Sequence, residues 1–441
     1  SAAGLGLSEG KKQLVSMSAW LLIWPDKAYI NTKDLTDFGS LENKRVTEGE
    51  VSFALCRPDG TVYSGYLAAD EAPEEPEVGS LWLDTGGDET ALRQYGEDGW
   101  TAVDDVCVRM NAAGIGIGFT AGDGIAVSGC RETALNGSFP LRSVEDDYVV
   151  VTALPRSLSS QSDPVTVERS VPDMDYVVES GNRLWGCKYG IVNGQAVNAI
   201  YASKLGDFKN WNCYAGLSTD SYAASRGSDG AFTGAADYLG NPLFFKENCV
   251  ERLYPSASGA HQIVTVQCAG VKSGSSGSLR VVDGKLYYHS QGGVCVFDGS
   301  MPVHVSQALG EMRYHNAVAG ALDGSYYLSA ADENGAWHLL VLDTRQGLWY
   351  REDGVEAVGF APWGGDLYCL TAAGQLLAMK GSGENREGPV QWLAETGELG
   401  LDAPESRYLV RLSLRLLPEA DSTVWAWVSY DEGGSWQPAG S

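Results

Sequence analysis

Leu339-Leu-Val-Leu-Asp343-Thr-Arg-Gln-Gly347-Leu-Trp349 is the stretch on which the predicted fold rests. Its apolar run is typical of a buried strand, its acidic and glycine positions of a tight turn, and its aromatic end of a returning strand. The same pattern recurs, more loosely, at residues 279–288, 294–299, 319–328 and 360–369. Successive units are spaced by roughly forty residues, which is the repeat length of propeller blades. We therefore predict a β-propeller of about six or seven blades.

Composition supports an all-β protein and limits its partners. The 441 residues include 55 Gly, which act as turn punctuation, and 13 Trp, 21 Tyr and 10 Phe, while long amphipathic helical patterns are hard to find. Lys and Arg number 31 against 57 Asp and Glu, so the net charge is −26. Such a surface repels phosphate groups, and we expect no direct sequence-specific nucleic-acid binding and no membrane binding.

The propeller pattern is interrupted in the first half of the chain. An acidic, proline-bearing stretch at residues 70–79 and two small β-rich units break it, and long additions of this kind are tolerated in propeller loops. A linker rich in glycine and charge at residues 380–388 precedes two alternating strands at 407–416 and 424–430. The predicted organisation is a first propeller segment (1–45), inserted β-rich modules (46–110 and 111–170), a second propeller segment (171–385) and a C-terminal β-sandwich-like segment (386–441). We expect further residues before Ser1, where no methionine stands, and after Ser441.

The nine cysteines indicate free thiols in the core. Their number is odd, their spacing is wide and no Cys-x-x-Cys occurs, and several stand inside apolar strands. Buried thiols from a reducing compartment are therefore expected. The five histidines are scattered, so the sequence predicts no zinc site and no other metal or cofactor.

Motifs with a catalytic or binding meaning have simpler explanations here. Glycines at 114, 116 and 118 lack a βαβ context and are interpreted as β turns. Acidic turns at 84–89 and 228–230 lack the ligand spacing of a calcium loop and are interpreted as solvated hairpin tips. No Ser-His-Asp or Cys-His arrangement can be identified. The sequence nominates no catalytic residue, and we predict that the protein is not an enzyme.

One further motif is shared with sialidases. Residues 429–436 match the Asp-box, Ser-x-Asp-x-Gly-x-(Ser/Thr)-Trp, whose Asp satisfies turn amides and whose Trp packs between strands. A sialidase also needs an arginine triad with a tyrosine nucleophile and an acid pair, which cannot be recognised in this chain. The motif therefore predicts a hairpin rather than an activity.

Exposed aromatic residues are the best candidates for a contact surface. Trp82, Tyr95 and Trp100 lie in the inserted modules, and Trp363 stands beside two glycines. Such rings stack on sugars or on the loops of a protein partner. Packing inside small β domains is the alternative interpretation of the same residues.

Several long phrases resemble a family of structural proteins from tailed bacteriophages and prophages. They are Asn182-Arg-Leu-Trp-Gly-Cys187, Ile200-Tyr-Ala-Ser-Lys-Leu-Gly-Asp-Phe-Lys-Asn-Trp211 and Leu239-Gly-Asn-Pro-Leu-Phe-Phe-Lys-Glu-Asn-Cys249. The phrase Gly79-Ser-Leu-Trp-Leu-Asp-Thr85 resembles a small module of phage tail proteins. More distantly, the chain is similar to propeller proteins that stabilise packaged DNA at the portal vertex. The family brings no catalytic residues.

The resemblance implies a virion protein of the tail or neck, made in the bacterial cytoplasm and oligomeric within the particle. Its expected partners are other virion proteins, bound through protein–protein contacts. The alternative is a receptor-binding protein that recognises host surface glycans through the inserted modules. A glycan hydrolase would instead need paired carboxylates at one mouth of the channel.

Overall fold

The computed structural model describes residues 4–87, 89–310, 313–352, 354–379, 391–397, 411, 413–416, 422–430 and 434–440. The chain divides into two compact units, residues 1–384 and 385–441. Strands dominate the described residues of the first unit, which also contain three short 3-10 turns at Thr133–Leu135, Ser276–Ser278 and Gln307–Leu309. The predicted all-β class is confirmed. No helix among the described residues has the length and apolar character needed to cross a membrane.

The first propeller sheet precedes the insertion. It is an antiparallel meander whose strands neighbour one another in chain order. Its residues Val15 and Leu22 face a core shared with the second sheet. The strands are β1 (Gln13–Met17), β2 (Trp20–Trp24), β3 (Ala28–Asn31) and β4 (Phe38–Ser40).

The insertion contains two sheets. One has seven strands in the order β5-β15-β12-β13-β14-β11-β6, and the other has four in the order β10-β9-β8-β7. The boundary expected at residue 110 falls inside the seven-stranded sheet, because β11 pairs with both β6 and β14. The strands are β5 (Asn43–Val46), β6 (Ser52–Cys56), β7 (Leu67–Ala69), β8 (Leu81–Asp84), β9 (Ala91–Gly96), β10 (Gly99–Ala102), β11 (Cys107–Asn111), β12 (Gly124–Ser128), β13 (Gly137–Glu145), β14 (Tyr148–Val151) and β15 (Thr166–Arg169).

Five more small sheets follow the insertion and continue the propeller. Each is an antiparallel meander, the first four with four strands and the last with three described strands. They comprise β16 (Tyr176–Ser180), β17 (Arg183–Val192), β18 (Gln195–Ala202) and β19 (Tyr222–Ser225); β20 (Gly234–Tyr238), β21 (Asn241–Phe245), β22 (Cys249–Tyr254) and β23 (Gln262–Gln267); β24 (Arg280–Val282), β25 (Lys285–Ser290), β26 (Gly293–Phe297) and β27 (Val303–His304); β28 (His315–Leu322), β29 (Ser325–Ala331), β30 (Trp337–Asp343) and β31 (Leu348–Glu352); and β32 (Ala357–Trp363), β33 (Asp366–Thr371) and β34 (Leu376–Ala378). The predicted propeller is therefore confirmed, with six sheets in the described residues.

The hairpin turns explain why these strands return so tightly. Asp283 and Gly284 are the two residues between β24 and β25, and their φ angles are 45° and 78°. Two positive φ values define the turn whose twist matches that of the flanking strands, and Asp-Gly is a favoured pair for it. Asp323 and Gly324 repeat this arrangement with φ angles of 51° and 80°.

Successive sheets are joined by apolar side chains. Burying one large apolar side chain contributes about 1.5–3 kcal/mol, so each junction is a substantial source of stability. The junctions include Leu22 with Leu184 (sheets one and two), Trp185 with Phe244 (two and three), Leu243 with Tyr288 (three and four), Val282 with Leu328 (four and five) and Val341 with Leu367 (five and six).

A buried polar contact fixes the insertion to the propeller. The side chain of Asn210, in the loop after β18, accepts a hydrogen bond from the backbone N–H of Gly124 at 2.8 Å and donates to the carbonyl of Gly122 at 2.6 Å. Beside it Arg169 forms an ion pair with Asp123. The Arg169 Nε also donates to the carbonyl of Leu41 at 3.1 Å. These contacts tie the start of β12 to the loop after β18, and the end of β15 to Leu41, which directly follows the first propeller sheet.

The cysteines are free thiols, and eight of the nine are buried while Cys268 is half-buried. The predicted burial of the thiols is confirmed. In the second unit, the described residues include the hairpin of β35 (Ala426–Val428) and β36 (Gln437–Gly440). The strand expected at 407–416 lies outside the described residues except at 411 and 413–416, as does the Asp-box tip at 431–433.

Candidate contact surfaces

Three of the four predicted aromatic residues lie on one face of the four-stranded sheet in the insertion. Trp82 is opposite Arg93 in the β8–β9 register, and Tyr95 is opposite Trp100 in the β9–β10 register. Residues two apart on a strand share a face, so all four side chains lie together. We call Trp82, Arg93, Tyr95 and Trp100 the aromatic face. The opposite face packs into the core of the seven-stranded sheet through Leu83 and Leu92.

The rings of the aromatic face contact one another. The ring centroids of Tyr95 and Trp100 are 5.2 Å apart, and those of Trp82 and Trp100 are 5.5 Å apart in an edge-to-face arrangement. Trp82 is only 7% exposed and donates its indole N–H to the carbonyl of Ala69 at 2.9 Å. Trp82 therefore supports the face from below, while the half-buried Tyr95 and Trp100 present its outer surface.

An ion pair borders the aromatic face. The Arg93 Nε lies 2.9 Å from a carboxylate oxygen of Asp84, and the guanidinium stands 5.9 Å from the Trp82 ring centroid. Apolar ring surface beside a few fixed polar groups is the composition of many ligand and protein contact sites. The arrangement can therefore stack on a flat partner while offering polar contacts at its margin.

The fourth predicted residue, Trp363, belongs to a different surface. It is 75% exposed at the end of β32 and contacts the ring of Tyr368, with centroids 6.1 Å apart. Leu370 and Leu376 are opposite one another in the β33–β34 register and are 43% and 67% exposed. Alternation along β33 places Asp366, Tyr368 and Leu370 on one face, and Leu367 and Cys369 on the other, which is buried against the fifth sheet. We call Trp363, Tyr368, Leu370 and Leu376 the outer face of the sixth sheet.

The structure also brings together pairs that could not be identified in the sequence. Cys295 and His304 are opposite in the β26–β27 register, with the sulfur 3.4 Å from Nδ1. Ser275 Oγ lies 3.1 Å from Nδ1 of His289. Their separations of nine and fourteen residues carry no recognisable motif, and only the strand register could have revealed the first pair.

Neither pair has the properties of a catalytic nucleophile and base. Cys295 is fully buried, and burial raises the pKa of its thiol, which keeps it protonated. Burial lowers the pKa of His289 to about 4, and Ser275 is also inaccessible. A third pair, His338 and Asp332 at 3.0 Å, lowers the pKa of the Asp332 carboxyl through its hydrogen bond. The three pairs therefore serve as hydrogen-bonding contacts within the fold.

Metal ligands do not converge in the described ranges. No group of three or more His, Cys, Asp or Glu side chains there could hold an ion. In the acidic turn at 84–89, Asp88 lies outside the described residues. The expectation that no metal or cofactor is bound stays a prediction.

Comparisons with known proteins give the chain no family. No protein-family model matches it, and no curated protein matches it. Among solved structures, the phage phi92 endosialidase has 9% identity and a TM-score of 0.24, covering 64% of this chain and 50% of its own. A puromycin hydrolase has 11% identity and a TM-score of 0.27, covering 86% of this chain and 59% of its own. The extracellular domain of the putative one component system BT4673 from B. thetaiotaomicron has 11% identity and a TM-score of 0.20, covering 71% and 52%.

The prediction of a protein that is not an enzyme is contradicted by these comparisons. Two of the three similar structures, the endosialidase and the hydrolase, are enzymes by name. The chain spans between 50% and 59% of the length of those two, and TM-scores of 0.24 and 0.27 assign no reaction to it. The prediction is therefore corrected: catalysis is not excluded for this chain, and no reaction is assigned to it.

Proposed function

We propose that the chain is a bacteriophage virion protein of the tail or neck that assembles with neighbouring subunits through protein–protein contacts. The long phrases around residues 182–187, 200–211 and 239–249 support a place in this family. The observation that carries the assembly role is the outer face of the sixth sheet, where Trp363 and two leucines stand largely exposed. At the junctions of the fourth with the fifth sheet and of the fifth with the sixth, apolar sheet faces are buried against another sheet.

The partner that fits this face is an apolar β-sheet surface of another virion protein. Trp363 provides a large ring, and tryptophan is one of the residue types enriched among binding hot spots. The leucines provide apolar area that is stabilised by removal from water. The net charge of −26 opposes close packing of identical chains, which favours a different virion protein as the neighbour.

Two measurements test this proposal. Mass spectrometry of purified particles should find peptides of this chain at stable abundance relative to the major tail proteins. Trp363→Glu should then lower incorporation into particles by at least about tenfold while the thermal unfolding of the free chain is unchanged. Ile191→Glu is the matched control, because Ile191 is 71% exposed on β17 and should assemble normally.

Two results would reject the assembly role. The first is absence of the chain from particles when it is abundant in the lysate. The second is loss of cooperative unfolding in Trp363→Glu, which would show that the outer face belongs to the folding core.

A second candidate function is recognition of a host surface glycan through the aromatic face. Tyr95 and Trp100 form a tilted ring pair beside an arginine, and aromatic rings provide rigid apolar area for stacking on sugars. Trp100→Ala should lower binding to host cells, whereas Tyr254→Ala, a control aromatic that is 37% exposed on the propeller, should not. Equal binding by both variants would remove this candidate.

A further inference from the structure

Two cysteines face each other where the four-stranded sheet joins the rest of the insertion. Cys56 is the last residue of β6, and Cys107 is the first residue of β11. The antiparallel register places them directly opposite one another. Opposed residues of antiparallel strands have Cβ atoms about 4.5–5.5 Å apart. Bridged cysteines have Cβ atoms about 3.5–4.5 Å apart, so a small movement of the strand ends suffices for a bond.

The surroundings of the two sulfurs also fit a bridge. Both residues are 0% exposed and share a small apolar cluster with Val150 and the half-buried Tyr148. Burial, and after it the charge of a neighbouring Cys107 thiolate, raises the pKa of Cys56 to about 12. A disulfide would replace two buried polarisable thiols by an uncharged apolar group.

The position of the pair in the chain gives a bridge a structural consequence. The chain leaves the seven-stranded sheet at Cys56, forms the whole four-stranded sheet with its aromatic face, and returns at Cys107. β6 is an edge strand of the seven-stranded sheet, and on its outer side Cys56 is paired only with Val62, in a short antiparallel bridge made by the turn that follows the strand. We propose that Cys56 and Cys107 form an intramolecular disulfide under oxidising conditions and so close the base of the excursion at 57–106.

The reaction with oxidised glutathione is balanced. One cysteine loses its proton and attacks a sulfur of the glutathione disulfide, which breaks that S–S bond and releases one glutathione thiolate. The second cysteine, also deprotonated, attacks the protein sulfur of the mixed disulfide and releases the other glutathione. Two protein thiols are oxidised, one glutathione disulfide is reduced, and the two protons end on two glutathione thiols.

Burial makes this a slow reaction with a pH dependence. The thiolate is the attacking species, and both thiols have pKa values raised by burial. Oxidation of the folded chain should therefore accelerate as the pH rises and as the end of β6 opens. Exposed thiols of small peptides should react faster under the same conditions.

A second cysteine pair provides an internal comparison. Cys249 affects the pKa of Cys268, but the register pairs Cys249 with Gln267. An offset of one residue turns the two side chains to opposite faces of a sheet. Both pairs of cysteines are therefore close in space, but of the two pairs only Cys56 and Cys107 are directly opposite each other in the strand register.

The test uses the full chain, first reduced and then incubated with oxidised glutathione at pH 8. After free thiols are blocked with N-ethylmaleimide under denaturing conditions, non-reducing digestion and mass spectrometry should identify one linked peptide containing Cys56 and Cys107. The oxidised chain should unfold several degrees higher than the reduced chain, and dithiothreitol should reverse the shift. Cys107→Ala should lose both effects, and the matched variant Cys249→Ala should keep both.

Three outcomes would overturn the proposal. Cys56 and Cys107 could remain fully alkylated, they could carry glutathione without closing a bridge, or the linked peptide could join Cys249 to Cys268 instead. The linked peptide is identified in the unsubstituted chain, so this measurement decides the proposal even if a variant fails to fold.

Discussion

The buried ion pair between Asp123 and Arg169 offers a sharp test of how the insertion is held. Their side chains are 2% and 5% exposed, respectively. The Asp123 carboxylate also accepts hydrogen bonds from the backbone N–H and the hydroxyl of Thr120, at 3.0 and 3.1 Å. Asp123→Ala removes all these acceptors and leaves the Arg169 guanidinium buried without its carboxylate.

The expected loss of stability is about 3–5 kcal/mol, the range for breaking a buried ion pair from one side. An exposed pair on the same strand provides the control. Lys44 and Glu168 are 59% and 38% exposed at 3.3 Å, so Glu168→Ala should cost at most about 1 kcal/mol. The double variant Asp123→Ala with Arg169→Met should recover much of the loss, because it buries no unpaired charge.

Urea unfolding followed by circular dichroism measures these differences in the free energy of unfolding. Hydrogen exchange then localises them, and protection should fall first around residues 120–128 and 204–213, where Asn210 meets the insertion. A loss below about 1 kcal/mol in Asp123→Ala, or an equal loss in Glu168→Ala, would refute the argument that this pair anchors the insertion.

Three further predictions concern the propeller. Leu328 is fully buried between the fourth and fifth sheets, so Leu328→Ala should lower the free energy of unfolding by about 2–5 kcal/mol in a urea titration. In the same titration the control Leu376→Ala, at an exposed position, should change it by less than about 0.5 kcal/mol. Gly284→Ala should lower the thermal midpoint by a cost of about 1 kcal/mol, because alanine resists its φ of 78°, while Gly227→Ala, with open space and no positive φ, should not. Burial lowers the pKa of His289 from 6.5 to about 4, so the unfolded chain binds the extra proton first, and stability falls as the pH falls between these values. The pH-dependent contribution, up to about 3 kcal/mol, should disappear in His289→Gln when unfolding is compared at pH 7 and pH 4.5, and an identical pH dependence in both chains would contradict it.

The repeated hairpins could be predicted because their causes are local. Asp283-Gly284 and Asp323-Gly324 select a tight turn by backbone conformation alone, and the apolar alternation on either side selects the buried face. Trp82, Tyr95 and Trp100 could be grouped as candidates from the sequence, because residues 82–100 are close along the chain, but their common face follows from the strand register. The sequence could not show which of these rings is buried. Trp82 is only 7% exposed because it packs against Trp100 and donates its indole N–H to the carbonyl of Ala69.

The remaining features depend on contacts between residues far apart in the chain. β5 pairs with β15 across more than a hundred residues, and the seven-stranded sheet crosses the boundary expected at residue 110. Catalysis was excluded because no catalytic motif could be identified in the sequence. Residues that are distant in the sequence can meet on the folded surface without forming any such motif.

Composition and neighbouring residues were enough to establish the all-β class, the propeller repeat, the burial of the thiols and the acidic surface, since each has a local cause. Three-dimensional packing was needed to show that Arg169 reaches Asp123, that Cys56 faces Cys107, and that Trp363 stands on a different surface from Trp100. The physical reason is that pairing register and sheet packing are set by the total apolar area removed from water, which no local pattern records.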